Sequence, residues 1–270
     1  MATVENHLIA LLPRKERLRL LAHPNPPATH RRAHVATVEN HLIALLPRKE
    51  RLRLLAICEP VELVMPEVLC EPGKPTRDVY FPTTSFISLL TLIDAKPALE
   101  VGMVGSEGML GAQLALGVVT SPLHALVQGP GIARRISVGN FRDELERSAP
   151  LQRVLNRYLY VLMRQLAGSA ACLRYHEIGP RLARWLLMSQ DRAHADIFQV
   201  THEFLAYMLG VRRVGVTTAA GILQRGGLIE YHRGEMSVLD RDGLKAAACV
   251  CYAADQRAYA DMLPKTLSAK

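Results

Sequence analysis

A set of hydrogen-bonding side chains suited to nucleic acid lies between residues 201 and 233. Arg212, Arg213, Gly215, Thr217 and Thr218 crowd the start of one apolar-periodic segment, with Val214 among them. An arginine can offer two parallel N–H donors to O6 and N7 of guanine, and a threonine can meet a thymine methyl or a phosphate oxygen. Thr201 and His202 upstream, and His232 and Arg233 in a polar turn downstream, have the reach for phosphate contacts. This is the chemistry of recognition, not of bond making. His202-Glu203 opens like H-E-x-x-H, but the fifth position is Ala206, so the second metal-binding histidine of that motif is missing. Neither G-x-x-x-x-G-K-[ST] nor G-x-S-x-G occurs, and no catalytic residue, metal site or cofactor is expected.

The elements that must hold these residues can be read from their neighbours. Thr201 is a good N-cap for a helix over His202–Leu209. Ala206 is small, where two helices cross closely, and Gly210 follows where the turn needs positive φ. Val216 then buries an apolar side chain against the first helix, with Leu205, Leu209, Val211 and Ala219 at the other inward positions. This Ala–Gly–Val spacing predicts a helix-turn-helix with its second helix over Arg212–Arg225. An ordinary helical hairpin in a core is the other reading. Gly226-Gly227 ends the second helix, and Leu228–Tyr231 and Met236–Leu239 read as strands about His232-Arg233-Gly234-Glu235, a wing. A winged helix-turn-helix implies binding of duplex DNA through the major groove. The same surface could instead serve a protein partner, and the two uses differ in salt dependence.

Upstream, Leu151, Leu155, Tyr158, Leu162, Leu166 and Leu173 recur at helical steps along Leu151–Leu173. Such a seam either packs inside one domain or joins two copies of the chain. Another helix is expected over Pro180–Arg192. From Ile57 to Val138 the pattern changes to short strands, including Val79–Phe81, Phe86–Leu92, Leu99–Val104 and Leu123–Val127, punctuated by glycine and proline. Gly102, Gly105, Gly108 and Gly111 recur every third residue, a period of neither helix nor strand. They suggest converging backbone N–H groups able to cradle an anion, with Gly105, Glu107, Gly108 and Gly111 as a candidate effector pocket. Tight turns at a barrel corner are the alternative.

The 270 residues carry a net charge of +8, but residues 1–35 supply six basic against two acidic side chains, leaving only +4 for the other 235. Charge alone is therefore weak support for nucleic acid. The five cysteines (58, 70, 172, 249, 251) are scattered without a C-x-x-C pair and read as reduced thiols of a cytoplasmic protein. No apolar run approaches the ~20 residues that span a bilayer, and the start has no signal-peptide pattern. Residues 2–22 and 36–56 are identical, joined by the proline-bearing stretch 23–35. One short helix of this kind has one docking site, which the second copy is expected to take. Residues 1–34 are expected to be dispensable, with Val35 standing to its copy as Met1 does to the first.

The stretches EPGKPTRDVYFPTTSFISLL and EVGMVGSEGMLGAQLALG, a helix start at Val138-Gly139-Asn140-Phe141, and the helix-turn-helix with its wing resemble the Crp/Fnr family of bacterial regulators over about residues 36–262. The resemblance implies an α+β chain. Residues 1–35 are a duplicated helix and linker, 36–148 a cyclic-nucleotide-binding-like jelly-roll β-roll, 149–174 a dimerisation helix, 175–262 the winged helix-turn-helix and 263–270 a tail. It implies a transcription regulator with duplex DNA, a second copy of itself and RNA polymerase as partners, and no membrane. Members that bind cyclic AMP hold the ribose with a Glu and the phosphate with an Arg. Here Ala112 stands at the Glu position, and no Arg or Lys occurs from Pro97 to Ala133, so cyclic nucleotide is not expected as effector. Arg213 falls where the family has a base-reading Arg; the Glu common at the next position is Val214, which cannot accept from cytosine.

Overall fold

The computed structural model describes residues 39–92 and 98–264. The first copy of the duplicated segment, its linker and the tail beyond residue 264 lie outside the described residues. The second copy forms two short helices, α1 (His41–Ala44) and α2 (Arg48–Ala56), because Pro47 cannot continue the first. The expected single helix is therefore broken, yet its apolar side docks: Leu42, Ile43, Leu46 and Leu54 are buried. The Asn40 side chain accepts from Leu42 N and donates to the carbonyls of Pro82 and Gly108, tying the segment to the sheets.

Seven strands make the β-roll: β1 (Glu59–Leu63), β2 (Val68–Cys70), β3 (Asp78–Pro82), β4 (Phe86–Thr91), β5 (Leu99–Val104), β6 (His124–Gly129) and β7 (Gly131–Ser137). One sheet runs β1-β7-β3 and the other β2-β6-β4-β5, all neighbours antiparallel. Ile87, Leu89, Val104, Ala125, Val127 and Ala133 pack among their inner side chains. Helix α3 (Val138–Arg147) follows, capped by the Ser137 hydroxyl, and then α4 (Ala149–Tyr175), capped by Ser148.

Helix α4 corrects the sequence reading. Leu151, Leu155 and Tyr158 are at most 1% exposed, locked in a core with Leu42, Phe81 and Phe141 of the same chain. They are not a dimer seam; they fasten the helix to its own β-roll. Leu162 and Leu166 are half-buried on the same side, as is Leu173 further on. The opposite side carries exposed Tyr160 and Met163, then Ala167 and Ala170.

Helix α5 (Ile178–Ala193) leads to β8 (Ile197–Gln199), α6 (His202–Leu209), α7 (Arg213–Arg225), the hairpin β9 (Ile229–His232) and β10 (Glu235–Val238), α8 (Arg241–Ala247) and α9 (Cys251–Met262). The hairpin gains a third strand, in the order β8-β10-β9. The core of this half, with Leu182, Leu186, Leu205, Val216 and Met236, is continuous with Leu90, Met103 and Leu126 of the β-roll. The two halves are thus packed together through apolar contact. Among the described residues, no helix is long and apolar enough to cross a membrane.

Candidate nucleic-acid interface

The interface is built on α6, α7 and the hairpin. Thr201 caps α6 by accepting from Phe204 N at 3.0 Å. Gly210 sits at φ 63°, the left-handed region that a side chain resists, and the Val211 amide closes back on Ala206. Leu205, Leu209, Val216 and Ala219 are buried between the helices. Arg181 from α5 donates a hydrogen bond to the Leu209 carbonyl, which the end of α6 leaves unpaired.

This packing turns one face of α7 outward. Arg212, Arg213, Thr217 and Thr218 are exposed, and Val214 is 75% exposed. Arg213 approaches Glu203 at 3.8 Å, a loose surface pair that leaves its guanidinium available. Gly215 departs from this set: a Cβ there would come within 2.6 Å of Ile178 Cδ1, so it is an inward packing position. His202 departs too. Its ring stacks on Tyr231 of β9 at 4.1 Å, Nδ1 bonds Thr217 Oγ1 at 3.1 Å, and Nε2 is buried. Burial, helped by Arg213, lowers its pKa. His202 joins the first helix, the second helix and the wing. It is half-buried, with its ring engaged by its neighbours.

The wing turns through Arg233 (φ 49°) and Gly234 (φ 93°). Two consecutive positive φ values match the right-handed twist of a tight hairpin. His232 and Arg233 are exposed at the tip. Arg213 and Val214 on α7 and Arg233 at the wing tip are all exposed.

The glycine-rich turn after β5 is closed from inside. Gly108 N donates to Gly105 O, and Gly105 N donates to Glu107 Oε1 at 3.2 Å. The anion in the cradle is the chain's own carboxylate. Glu107 pairs at 2.6 Å with Arg192, which arrives from the end of α5. Burial opposes the Arg192 charge, but Glu107 together with Tyr259 and Asp191 outweighs it, raising the pKa. A Cβ at Gly105 would meet Arg192 Cγ at 2.7 Å, one at Gly108 would strike the Tyr158 ring, and Gly111 (φ 100°) lies against Val79. Gly105, Glu107, Gly108 and Gly111 therefore do not line an open pocket. The cation that segment 97–133 lacks comes from 85 residues down the chain, and no local motif announces it.

A cavity of about 40 Å³ lies elsewhere, between β5, α4, α5 and α6, lined by Glu100, Gly102, Cys172, Arg181, Arg184 and Trp185 among others. It has room for water, not for a nucleotide. Beside it, the structure brings together residues that sequence reasoning left apart: Cys172, His176, Cys249 and Cys251 place their ligand atoms within 4.8 Å of one another. The signal was present as Cys-x3-His at a helix end and Cys-x-Cys far downstream, but 77 residues separate Cys172 from Cys249.

Residues 180–247 match the model of the Crp-like helix-turn-helix domain. No curated protein matches the chain in sequence. Solved structures do match in fold. FixK2 from Bradyrhizobium japonicum is 15% identical with TM-score 0.60, covering 72% of this chain and 98% of its own. The c-di-GMP-responsive global regulator CLP from Xanthomonas campestris is 18% identical with TM-score 0.58, covering 71% and 99%. A transcriptional regulator of the CRP/FNR family from Thermus thermophilus is 22% identical with TM-score 0.50, covering 70% and 98%. These identities speak for the fold alone, and the domain match speaks for residues 180–247. The chain carries a Crp-like helix-turn-helix domain within the Crp/Fnr fold, an α+β arrangement of β-roll, long helix and winged helix-turn-helix.

Proposed function

We propose that the chain is a sequence-specific transcription regulator that binds duplex DNA as a homodimer and reads a two-fold symmetric site. The observation that carries this reading is the outward face of α7. An exposed arginine, an exposed valine and two threonines stand together at the start of a helix held by a Crp-like scaffold. Arg213 suits a guanine and Val214 suits a thymine methyl, while Arg233 at the wing tip suits a phosphate. One such helix reads few base pairs, and a symmetric pair supplies the missing specificity. The exposed side of α4, with Tyr160, Met163, Ala167 and Ala170, is the surface for the second copy. Bulky anchors beside small residues allow two helices to approach closely. RNA polymerase is a further partner on this reading, catalysis has no part in it, and the setting is the cytoplasm.

Cyclic AMP and cyclic GMP are not effectors on this reading. Glu107, Arg192 and Tyr158 fill the turn that would hold a phosphate, and a nucleotide would have to break a buried ion pair to enter.

One titration tests the whole reading. Duplexes enriched from a random pool by the purified chain should share a palindromic motif. Their affinity should fall steeply as salt rises, with a slope set by the number of phosphates contacted, and should be unchanged by micromolar cyclic AMP or cyclic GMP. Enrichment of no motif, or salt-independent binding, refutes DNA reading. A nucleotide-dependent affinity refutes the closed turn.

A further inference from the structure

We propose that Cys172, His176, Cys249 and Cys251 form a tetrahedral binding site for a thiophilic divalent cation of the zinc class, which clamps the long helix to helix α9.

The geometry carries the proposal. A zinc ion bound at about 2.3 Å from sulfur and about 2.0 Å from imidazole nitrogen sets ligand edges of about 3.8 Å between sulfurs and about 3.5 Å between sulfur and nitrogen. Cys172 Sγ and Cys249 Sγ stand 3.5 Å apart, and Cys251 Sγ stands 3.6 Å from His176 Nδ1. All four ligand atoms fall within 4.8 Å of one another. The two sulfurs are well beyond the ~2.05 Å of a disulfide, and all five cysteines are free. Two elements supply two ligands each. Cys172 and His176 are four residues apart where α4 ends, and Cys249 and Cys251 flank the start of α9. Cys172 and Cys249 are buried, while His176 and Cys251 are half-buried, which leaves the cation a way in.

The surroundings suit a thiolate cluster. Binding would send three thiol protons to solvent and leave three thiolates, one neutral imidazole and a dication, a net charge of −1. Arg181 is 8% exposed, and among the described residues no carboxylate pairs with it. A buried arginine without a counterion is costly. Arg181 and Arg184 both lie within electrostatic reach of Cys172 and Cys249, so the loaded cluster would supply the missing negative charge. Cys251 also opens a twelve-residue helix, where the peptide dipoles favour a thiolate. The Cys249 amide donates to the carbonyl of Pro180 at 3.3 Å. The clamp therefore sits where the long helix hands over to the helix-turn-helix half.

The test uses the full chain purified under reducing conditions without chelator. We expect one zinc per chain by elemental analysis. After replacement by cobalt, the visible ligand-field bands and thiolate charge-transfer bands of a tetrahedral site should appear. Cys172→Ser and Cys249→Ser should lose the ion to a competing chelator, whereas Cys58→Ser and Cys70→Ser should keep it. Cys251→His keeps four ligands and should retain the metal with a blue-shifted, weaker charge-transfer band, which separates ligation from misfolding. A wild-type chain that holds no zinc after incubation with excess and desalting overturns the proposal. So does full stoichiometry in Cys172→Ser, or a native Cys172–Cys249 disulfide whose reduced form takes up no zinc.

Discussion

At the scale of single residues, exposure separates the proposed readers from braces. Arg213 and Val214 stand out from α7, whereas Gly215 and His202, adjacent in the same sequence pattern, are turned to packing. Arg213→Ala should weaken binding to the selected duplex by about 1–3 kcal/mol and relax preference at one base pair per half-site. Repeating the selection with the variant checks this, and an unchanged motif at unchanged strength would be the contrary result. Glu100 makes a second residue-scale case. Burial beside the small cavity pushes its carboxyl up to about 7, against the hydrogen bond it accepts from Ser88 at 2.6 Å. A carboxyl whose pKa is raised by folding holds its proton in the native state and loses it in the unfolded chain. Its stabilising contribution is complete below the ordinary value of 4.5 and is lost as pH rises to about 7. Chemical denaturation across pH 4.5–7 should therefore show a falling component in the wild type that Glu100→Gln removes. Equal slopes in the two proteins would contradict the assignment.

At the scale of elements, what was legible followed locality. The helix over His202–Leu209 and the strand over Leu99–Val104 have the expected bounds, because their caps and alternation lie within a few residues. Strands Glu59–Leu63 and Gly131–Ser137 were less visible, because the exposed Glu59 and Glu62 and the half-buried Arg134 and Arg135 interrupt the apolar pattern. A helical stripe is also visible in sequence without its destination. The leucines of α4 mark an apolar side, but only the folded chain shows that Leu151 and Leu155 on this side meet Phe81 and Phe141 of the same chain. This reassignment is testable with two substitutions on one helix. Met163→Glu, on the exposed side, should convert the proposed homodimer to monomer in sedimentation with the melting temperature of the isolated chain unchanged. Leu155→Ala, on the buried side, should cost about 2–5 kcal/mol of stability. If Met163→Glu remains dimeric, the second copy docks elsewhere.

At the scale of the whole molecule, the sensor-like and helix-turn-helix halves share one apolar core and one buried charge pair, Glu107 with Arg192. No local pattern could have shown it, since the partners are 85 residues apart and each is ordinary alone. Glu107→Gln leaves the Arg192 guanidinium buried without its anion, a change of about 3 kcal/mol or more where such a pair is fully enclosed, and somewhat less here because Glu107 is partly open. The expected outcome is that a single cooperative melt separates into two, with the helix-turn-helix half released first; an unchanged melt would show that the apolar contact alone holds the halves. On the proposed reading, the same pair would make the glycine turn a listening post. Linkage between two sites runs equally in both directions. If an operator pulls the reading half away from the β-roll, Arg192 leaves and the Gly105 and Gly108 amides lose their ordering, so the duplex is itself an effector of the turn. Amide exchange at those two glycines would then report, from inside the sensor, whether the far end of the molecule is holding DNA.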